Sequence, residues 1–236
     1  MVSPRTPLVV GVLALLEGQG LQPAKTWLDE TLPSFGDDGP TEGSPQERTL
    51  RIVFARARRK TGATSIEIDA EAAAAHGLPD AMAVPSWRAF DLARLALLHA
   101  QLDTLSSDEH VGLVTRLFRS GELSEQESLL RSLSYLPGPE RFVDLAVDAC
   151  RTNAVSVFSA LATKNPYPAE HFSEASFNQM VLKALFIGAP AREIVGIEQR
   201  HGAELERMAR GYASERTAAG RALSDDLQYV LGLSKS

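Results

Sequence analysis

Hydrophobic positions along the chain follow a helical spacing almost everywhere, interrupted at short intervals by glycine and proline. Residues 87–102 are an example, with one apolar face and Ser86 as the predicted N-cap. Helices of about ten to fifteen residues joined by short loops are typical of antiparallel neighbours. The pattern therefore predicts an all-α fold: a multi-helical single domain over residues 1–236, built from irregular stacked antiparallel helix pairs in a solenoid-like arrangement.

The helical pattern is interrupted by one long loop and by one short alternating stretch. Residues 33–45 are rich in turn-forming residues, and we expect them to form an exposed loop. Residues 65–69 alternate polar and apolar side chains, but the stretch is too short and isolated to predict a sheet. Ser124 and Glu127 have the spacing of a capping box and predict a helix over residues 126–135. None of these signals changes the predicted fold class.

Composition and charge exclude several classes of protein. Of 236 residues, 44% are hydrophobic and 23% are charged, which are values typical of a globular chain. A formal net charge of −6 argues against a nucleic-acid-binding protein, which normally presents a basic surface. The apolar run at residues 8–16 ends at Glu17, far short of the roughly 18 residues that a membrane span needs. We therefore expect a cytoplasmic protein that is not an integral membrane protein and binds no nucleic acid.

The short motifs that carry well-known chemistry are missing from the sequence. It contains no phosphate-binding glycine loop, no GxGxxG after a strand, no GxSxG nucleophile elbow and no HExxH zinc motif. The five histidines never lie three or four residues apart, so no local metal pair exists. Cys150, the single cysteine, lies in an apolar helix, and we interpret it as a small buried hydrophobe rather than a reactive thiol. We expect no metal and no cofactor.

Polar side chains on one apolar helix are the most informative local feature. The helix predicted over residues 174–187 is apolar on nearly all sides, yet it carries Asn178, Gln179 and Lys183. Burying an unpaired amide costs about 1–3 kcal/mol, and burying an unpaired ammonium costs more. These groups are therefore either bonded to neighbouring loops or face a polar pocket, and the sequence leaves both interpretations open.

Two further stretches carry candidate polar groups. Asn165 and Tyr167 each precede a proline, which favours extended backbone and would fix both side chains in a structural staple or in one wall of a site. On a later helix Tyr212 and Arg216 lie four residues apart, and Glu215 lies on a neighbouring face. Surface ion pairing and a binding site are equally consistent with this second group.

The C-terminal half contains a series of motifs that are specific in combination. They lie between about residues 130 and 221 and comprise LPGPERF at 136–142, RTN at 151–153 with Val157 and Phe158, KNPYPAE at 164–170, FNQMVLKA at 177–184, GIEQR at 196–200 and YASERTAAGR at 212–221. Weaker matches upstream are Trp27, Leu28, Phe54, Gly62, Trp87, Asp91 and Arg94. With these motifs most of the chain resembles the EboA domain family, an all-helical family found in bacteria and in some algae.

At four positions the sequence departs from the pattern of that family. Phe177 and Thr217 stand where the family has tryptophan, and Glu198 stands where it has aspartate. Ser214 replaces a histidine, so a general base at this position is not expected.

The resemblance implies a role in a gene cluster more than a reaction. Such clusters accompany secondary-metabolite pathways, including one for a cyanobacterial sunscreen pigment, and are thought to help process a precursor or export it to the periplasm. Neighbouring genes encode enzymes that resemble a membrane prenyltransferase, TIM-barrel proteins and a sugar-phosphate cyclase. The resemblance supplies no catalytic residues.

Two functional hypotheses follow from the motifs and the resemblance. The first is a non-catalytic accessory protein that binds another protein of the same gene cluster or a small-molecule intermediate. The alternative is an enzyme acting on a polar or phosphorylated small-molecule intermediate of that cluster, held by the cationic side chains within the motifs. The candidate binding residues are Arg151, Asn153, Asn165, Tyr167, Asn178, Gln179, Lys183, Arg200, Tyr212, Glu215 and Arg216.

Overall fold

The structure of the protein is a computed structural model that describes residues 5–35 and 39–233. These residues form thirteen α-helices, several short 3-10 turns and one very small sheet. The predicted all-α, multi-helical fold is therefore confirmed. The chain divides into two compact units, the first ending at Phe142 and the second beginning at Val143.

The first unit is organised around one buried helix. Its helices are α1 (Pro7–Gly18), α2 (Gln22–Thr31), α3 (Pro45–Thr61), α4 (Ala70–Ala75), α5 (Ala89–Leu102), α6 (Ser107–Ser120) and α7 (Leu123–Ser132). Nearly every side chain of α5 is buried, and α5 contacts α1, α3 and α7. Because α5 is apolar on most of its circumference, it needs neighbours on several sides, and the other helices provide them.

A long-range pairing changes the predicted start of α5. Residues 65–69, which predicted no sheet, contribute β1 (Ser65–Ile66), which pairs antiparallel with β2 (Trp87–Arg88). The helix therefore begins at Ala89, with Arg88 rather than Ser86 as its N-cap. The local signal was wrong here because the strand partner lies about twenty residues away in sequence.

Two other local predictions in this unit have different outcomes. The predicted capping box at Ser124 was wrong, because α7 already begins at Leu123 with Glu122 as N-cap. Of the loop predicted at 33–45, residues 36–38 lie outside the described residues. The neighbouring Phe35 and Pro40 are buried.

Buried polar groups join the helices of the first unit. Arg94 donates from Nε to the carbonyl oxygen of Phe54 at 3.0 Å and from Nη1 to that of Ser124 at 2.7 Å. It also donates to Ser128 Oγ at 2.9 Å, and Ser128 Oγ donates to the buried Asp91 carboxylate at 2.5 Å. Charged groups are tolerated in an interior when hydrogen bonds satisfy them, so these contacts hold α3, α5 and α7 together.

The second unit contains the helix with the unexplained polar side chains. Its helices are α8 (Val143–Ala149), α9 (Val155–Ala162), α10 (Tyr167–His171), α11 (Glu174–Ile187), α12 (Ala203–Ala218) and α13 (Asp225–Gly232). The bounds predicted for α11, residues 174–187, are confirmed: Ser173 Oγ accepts from the N–H of Ser176, and Gly188 ends the helix with φ 75°. Helix α11 contacts α9 and α12 and is the central helix of this unit.

The backbone of Tyr167 differs from the extended geometry that the sequence predicts. Tyr167 precedes Pro168 but is the first residue of α10, although the residue before a proline avoids helical backbone. Asn165 Oδ1 accepts from the N–H of Tyr167 at 3.0 Å and so satisfies the first N–H of this short helix, whose N-cap is Pro166. This hydrogen bond offsets the unfavourable helical backbone of a residue that precedes a proline, and the sequence pattern did not indicate it.

Candidate functional site

Helix α11 presents two different sides. Phe177, Val181 and Ala184 are buried, as predicted for an apolar helix. Gln179 is exposed, and Phe186 exposes 73% of its surface. The helix is therefore not buried all round, and its polar residues have different surroundings that must be considered one by one.

Lys183 is bonded to the end of α8. Its Nζ donates to the carbonyl oxygens of Cys150 at 2.5 Å and Thr152 at 2.6 Å, and it lies 5.1 Å from the centre of the Phe158 ring. The carbonyl groups at a helix C-terminus have no partner within the helix, so a cation is favourable there. No carboxylate of the described residues forms an ion pair with Lys183.

Arg200 performs the same task at the end of α10. Its Nη1 donates to the carbonyl oxygens of Pro168 at 2.8 Å and Ala169 at 3.0 Å, and its Nη2 donates to that of Phe172 at 2.7 Å. The guanidinium also lies 4.4 Å from the centre of the Phe177 ring. Arg200 is therefore a clamp between the chain before α12 and the helices α10 and α11.

Two buried asparagines in this unit have opposite environments. Asn165 is 1% exposed, and its Nδ2 donates to the carbonyl oxygen of Ala160 at 2.9 Å. Asn178 is also 1% exposed, but neither its Oδ1 nor its Nδ2 has a hydrogen-bond partner among the described residues. The amide of Asn178 therefore carries a desolvation cost of about 1–3 kcal/mol that no bond offsets.

The two asparagines give a matched stability prediction. Asn178→Leu should raise the free energy of unfolding by about 1 kcal/mol, because it removes an unsatisfied buried amide and keeps the branched shape of the side chain. Asn165→Leu should lower it by about 2 kcal/mol, because the bonds to the N–H of Tyr167 and to the carbonyl oxygen of Ala160 are both lost. Urea unfolding followed by circular dichroism measures both. Equal losses in the two variants would show that the Asn178 amide is bonded in solution.

A cavity of about 460 Å³ opens between the end of α8 and one face of α11. We call it the α8–α11 cavity. Its lining residues are Val147, Cys150, Arg151, Phe172, Ala175, Ser176, Gln179, Met180 and Lys183. Phe172 and Met180 are buried and form apolar wall, whereas Arg151 and Gln179 are exposed side chains. Small-molecule sites have this character, with mostly apolar walls of about 300–1,000 Å³ and a few polar groups.

The charge of the α8–α11 cavity is positive. Lys183 and Arg151 line it, and its lining contains no carboxylate. Three other cavities, all in the first unit, include at least one glutamate in their lining. The pair between Arg151 and Asp148 is long, at 3.3 Å, and both side chains are mostly exposed, so it contributes only about 0–1 kcal/mol.

The thiol of Cys150 also lines this cavity but is not activated. Burial raises its pKa to about 12, while the nearby charge of Lys183 acts in the opposite direction and is outweighed. Because the thiolate is the nucleophile, a thiol with so high a pKa is inert near neutral pH. Cys150 is half-buried rather than fully buried as predicted, and its raised pKa fits a small hydrophobe better than a reactive thiol.

Alkylation tests the state of Cys150. We expect iodoacetamide to modify the folded protein at pH 8 more than tenfold more slowly than the protein in guanidinium chloride, because burial disfavours the thiolate. Intact-mass spectrometry over time measures both rates. Rapid stoichiometric modification of the folded protein would mean that the thiol is accessible and ionised.

The remaining sequence-predicted residues lie outside the lining of the cavity. Tyr167 is fully buried and stacks against His171, with ring centres 4.7 Å apart, while Asn153 is exposed. Arg216 donates to the carbonyl oxygen of Ala222 and to Tyr212 Oη, and Glu215 is exposed. The structure therefore brings Arg151, Gln179 and Lys183 together at one cavity.

Sequence reasoning missed the apolar half of the cavity. Ala175, Ser176, Gln179, Met180 and Lys183 share one face of α11 at spacings of three and four residues, which is a signal for a common helix side. However, the same spacing is typical of core packing, and the residues from α8 that close the cavity are remote in sequence. Only the tertiary structure separates these cases.

These features define an all-α protein with a small-molecule-sized cavity beside its central C-terminal helix. Residues 14–232 match the family model described as "Metabolite traffic protein EboA", and the chain belongs to this family. No curated protein and no solved structure matches the chain. Among the described residues no helix is long and apolar enough to cross a membrane.

Proposed function

We propose that the protein is a non-catalytic accessory protein of a secondary-metabolite processing or export gene cluster, and that it binds a small-molecule intermediate in the α8–α11 cavity. The observation that carries this proposal is the cavity itself, which combines a buried apolar wall with two cations. The family description, which refers to metabolite traffic, supports a role in handling a metabolite.

The chemistry of the lining supports binding more than conversion. A covalent mechanism needs an activated nucleophile, and the thiol of Cys150 has a pKa of about 12. A general base must reach the substrate proton, and the residues that line the cavity include no histidine, aspartate or glutamate. Lys183 already donates to two carbonyl oxygens, which makes it a positioning group rather than a free amine.

Native mass spectrometry of the protein purified gently from its own host tests this proposal. We expect a small-mass adduct that disappears when the protein is unfolded, because only the folded chain forms the cavity. The ligand released from this adduct should keep its mass when it is incubated with the protein again and re-isolated. A protein without any adduct, recovered from cells that produce the metabolite, would contradict the proposal.

The second candidate function is an enzyme acting on a polar or phosphorylated small-molecule intermediate of the cluster. The pair of cations at the cavity, Lys183 and Arg151, is the observation that favours it, since both suit anionic substrates. One result distinguishes an enzyme from a binding protein. The ligand is released from the protein and incubated with fresh protein, and an enzyme would change its mass. Turnover of this kind would replace the accessory role by a catalytic one.

A protein partner is the other component of the proposal. Phe186 exposes 73% of its surface, and its ring lies 6.3 Å from that of the half-buried Tyr212, beside Arg216. Aromatic and arginine side chains dominate the energetics of protein interfaces, so this face is the place we propose for another protein of the same cluster. We further propose that the protein acts in the cytoplasm, without a cofactor, a metal or nucleic acid.

A further inference from the structure

We infer that the α8–α11 cavity takes an amphipathic anion: a molecule with an aromatic or branched apolar body and one oxyanion head. This inference rests on the proposed function, because it names the class of metabolite for the same site. It follows from what each part of the lining offers to a ligand.

The apolar wall selects the body of the ligand. Phe172 is 5% exposed and Met180 is 1% exposed, and both line the cavity next to the half-buried Val147. A methionine thioether adapts its shape and packs well against aromatic rings, so this wall favours a ring or a branched chain. Sugars and other fully hydroxylated molecules would leave their polar groups without partners there.

The two cations of the lining, Lys183 and Arg151, select the oxyanion head of the ligand. An ammonium group has three N–H donors, and Lys183 uses two of them on the carbonyl oxygens of Cys150 and Thr152. One donor therefore remains for a ligand. Among the described residues Arg151 pairs only with Asp148, at 3.3 Å on an exposed surface, so its guanidinium exchanges this partner at little cost.

The charge balance separates this site from ordinary surface clefts. Lysine and arginine at protein surfaces normally lie among carboxylates, as in the cavity of the first unit whose charged lining residues are Arg58, Arg59, Arg94, Glu122 and Glu125. The lining of the α8–α11 cavity has two cations and no carboxylate, in a protein whose net charge is −6. Asp148, which pairs with Arg151 at 3.3 Å, lies outside the lining on the exposed surface. An oxyanion supplies the missing negative charge, and charge-assisted bonds of this kind are about twice as strong as neutral ones.

Three probes with the same body test the head-group preference. They are 4-phenylbutyrate, 4-phenylbutan-1-ol and 4-phenylbutylamine, each titrated into the full chain by isothermal calorimetry. We expect the carboxylate to bind about tenfold more tightly than the alcohol and to bind more tightly still than the amine. Equal affinities, or no detectable binding of the carboxylate, would overturn the inference.

Reversing the charge of Arg151, an exposed residue of the lining, provides a second test of the inference. Arg151→Glu should weaken 4-phenylbutyrate binding about tenfold, because it places a carboxylate beside the head. The matched control is Arg207→Glu, since Arg207 is also exposed and pairs with an acidic residue three positions earlier, Glu204. Arg207→Glu should change the affinity by less than about twofold. Equal effects of the two reversals would overturn the inference.

A blocking variant distinguishes failure of this inference from failure of the proposed function. Ala175 lines the cavity and is exposed, so Ala175→Trp fills the cavity without entering the core. If all three probes bind equally and Ala175→Trp abolishes this binding, the cavity binds small molecules and only the anionic preference is wrong. If Ala175→Trp leaves the affinity for 4-phenylbutyrate unchanged, the probe binds elsewhere and the inference is wrong. The proposed function is then still decided by whether protein purified from its own host carries an adduct.

Discussion

Lys183→Met is expected to lower the free energy of unfolding by about 3 kcal/mol. The carbonyl oxygens of Cys150 and Thr152 would both lose a charged donor, at 2.5 and 2.6 Å, and methionine offers no replacement. The positive charge at the end of α8 would also disappear, together with its contact with the Phe158 ring. Urea unfolding followed by circular dichroism measures the change.

The control for this variant is a second lysine in the same unit. Lys164 is half-exposed and pairs with Glu193 at 3.4 Å, an ordinary surface ion pair. Lys164→Met should therefore change the free energy of unfolding by less than about 1 kcal/mol. If Lys183→Met were no more destabilising than Lys164→Met, the bonds of Lys183 to the end of α8 would not be structural.

Arg200→Met is expected to cost about 3 kcal/mol, and Arg200→Lys should recover less than half of this loss. The guanidinium holds three carbonyl oxygens, at 2.7 to 3.0 Å, and covers the Phe177 ring at 4.4 Å. An ammonium is a compact point charge and cannot reach three acceptors in a fixed plane while it stacks on a ring.

The same unfolding measurement checks this prediction. Arg207→Met and Arg207→Lys are matched controls, because Arg207 is exposed on α12 and pairs with Glu204 on the same helix. Both controls should lie within about 0.5 kcal/mol of the wild-type protein. Full recovery in Arg200→Lys would mean that positive charge alone is needed there, which would favour an anion-holding role over a clamp.

The sequence predicted features of the fold whose causes are local. The bounds of α11, residues 174–187, were correct because the capping by Ser173 and Gly188 depends on residues within one turn of each helix end. The start of α5 was wrong because Trp87 and Arg88 pair with a distant strand. Tyr167 was expected to be extended, but the side chain of Asn165 accepts a hydrogen bond from its N–H and favours a helix start there.

The candidate site was also predictable only where the sequence signal is local. Unusual polar residues on an apolar helix identified Asn178, Gln179 and Lys183, but their roles depend on what faces them. Lys183 combines both open interpretations, because it is bonded to a loop and also lines a cavity. Asn178 lies about 100° around the helix from Gln179 and is absent from the lining of that cavity. The apolar wall could not be recognised, since buried Phe172 and Met180 look like core residues in a sequence.

The central claim is that the α8–α11 cavity holds a metabolite, and the most direct measurement compares three proteins from the same host. Wild-type protein, Ala175→Trp and Ala203→Trp are purified side by side and examined by native mass spectrometry. Ala203 is exposed near the start of α12 and outside the lining, so it controls for the added indole. We predict the same adduct on the wild type and on Ala203→Trp, and none on Ala175→Trp. An adduct that persists on Ala175→Trp would contradict the account.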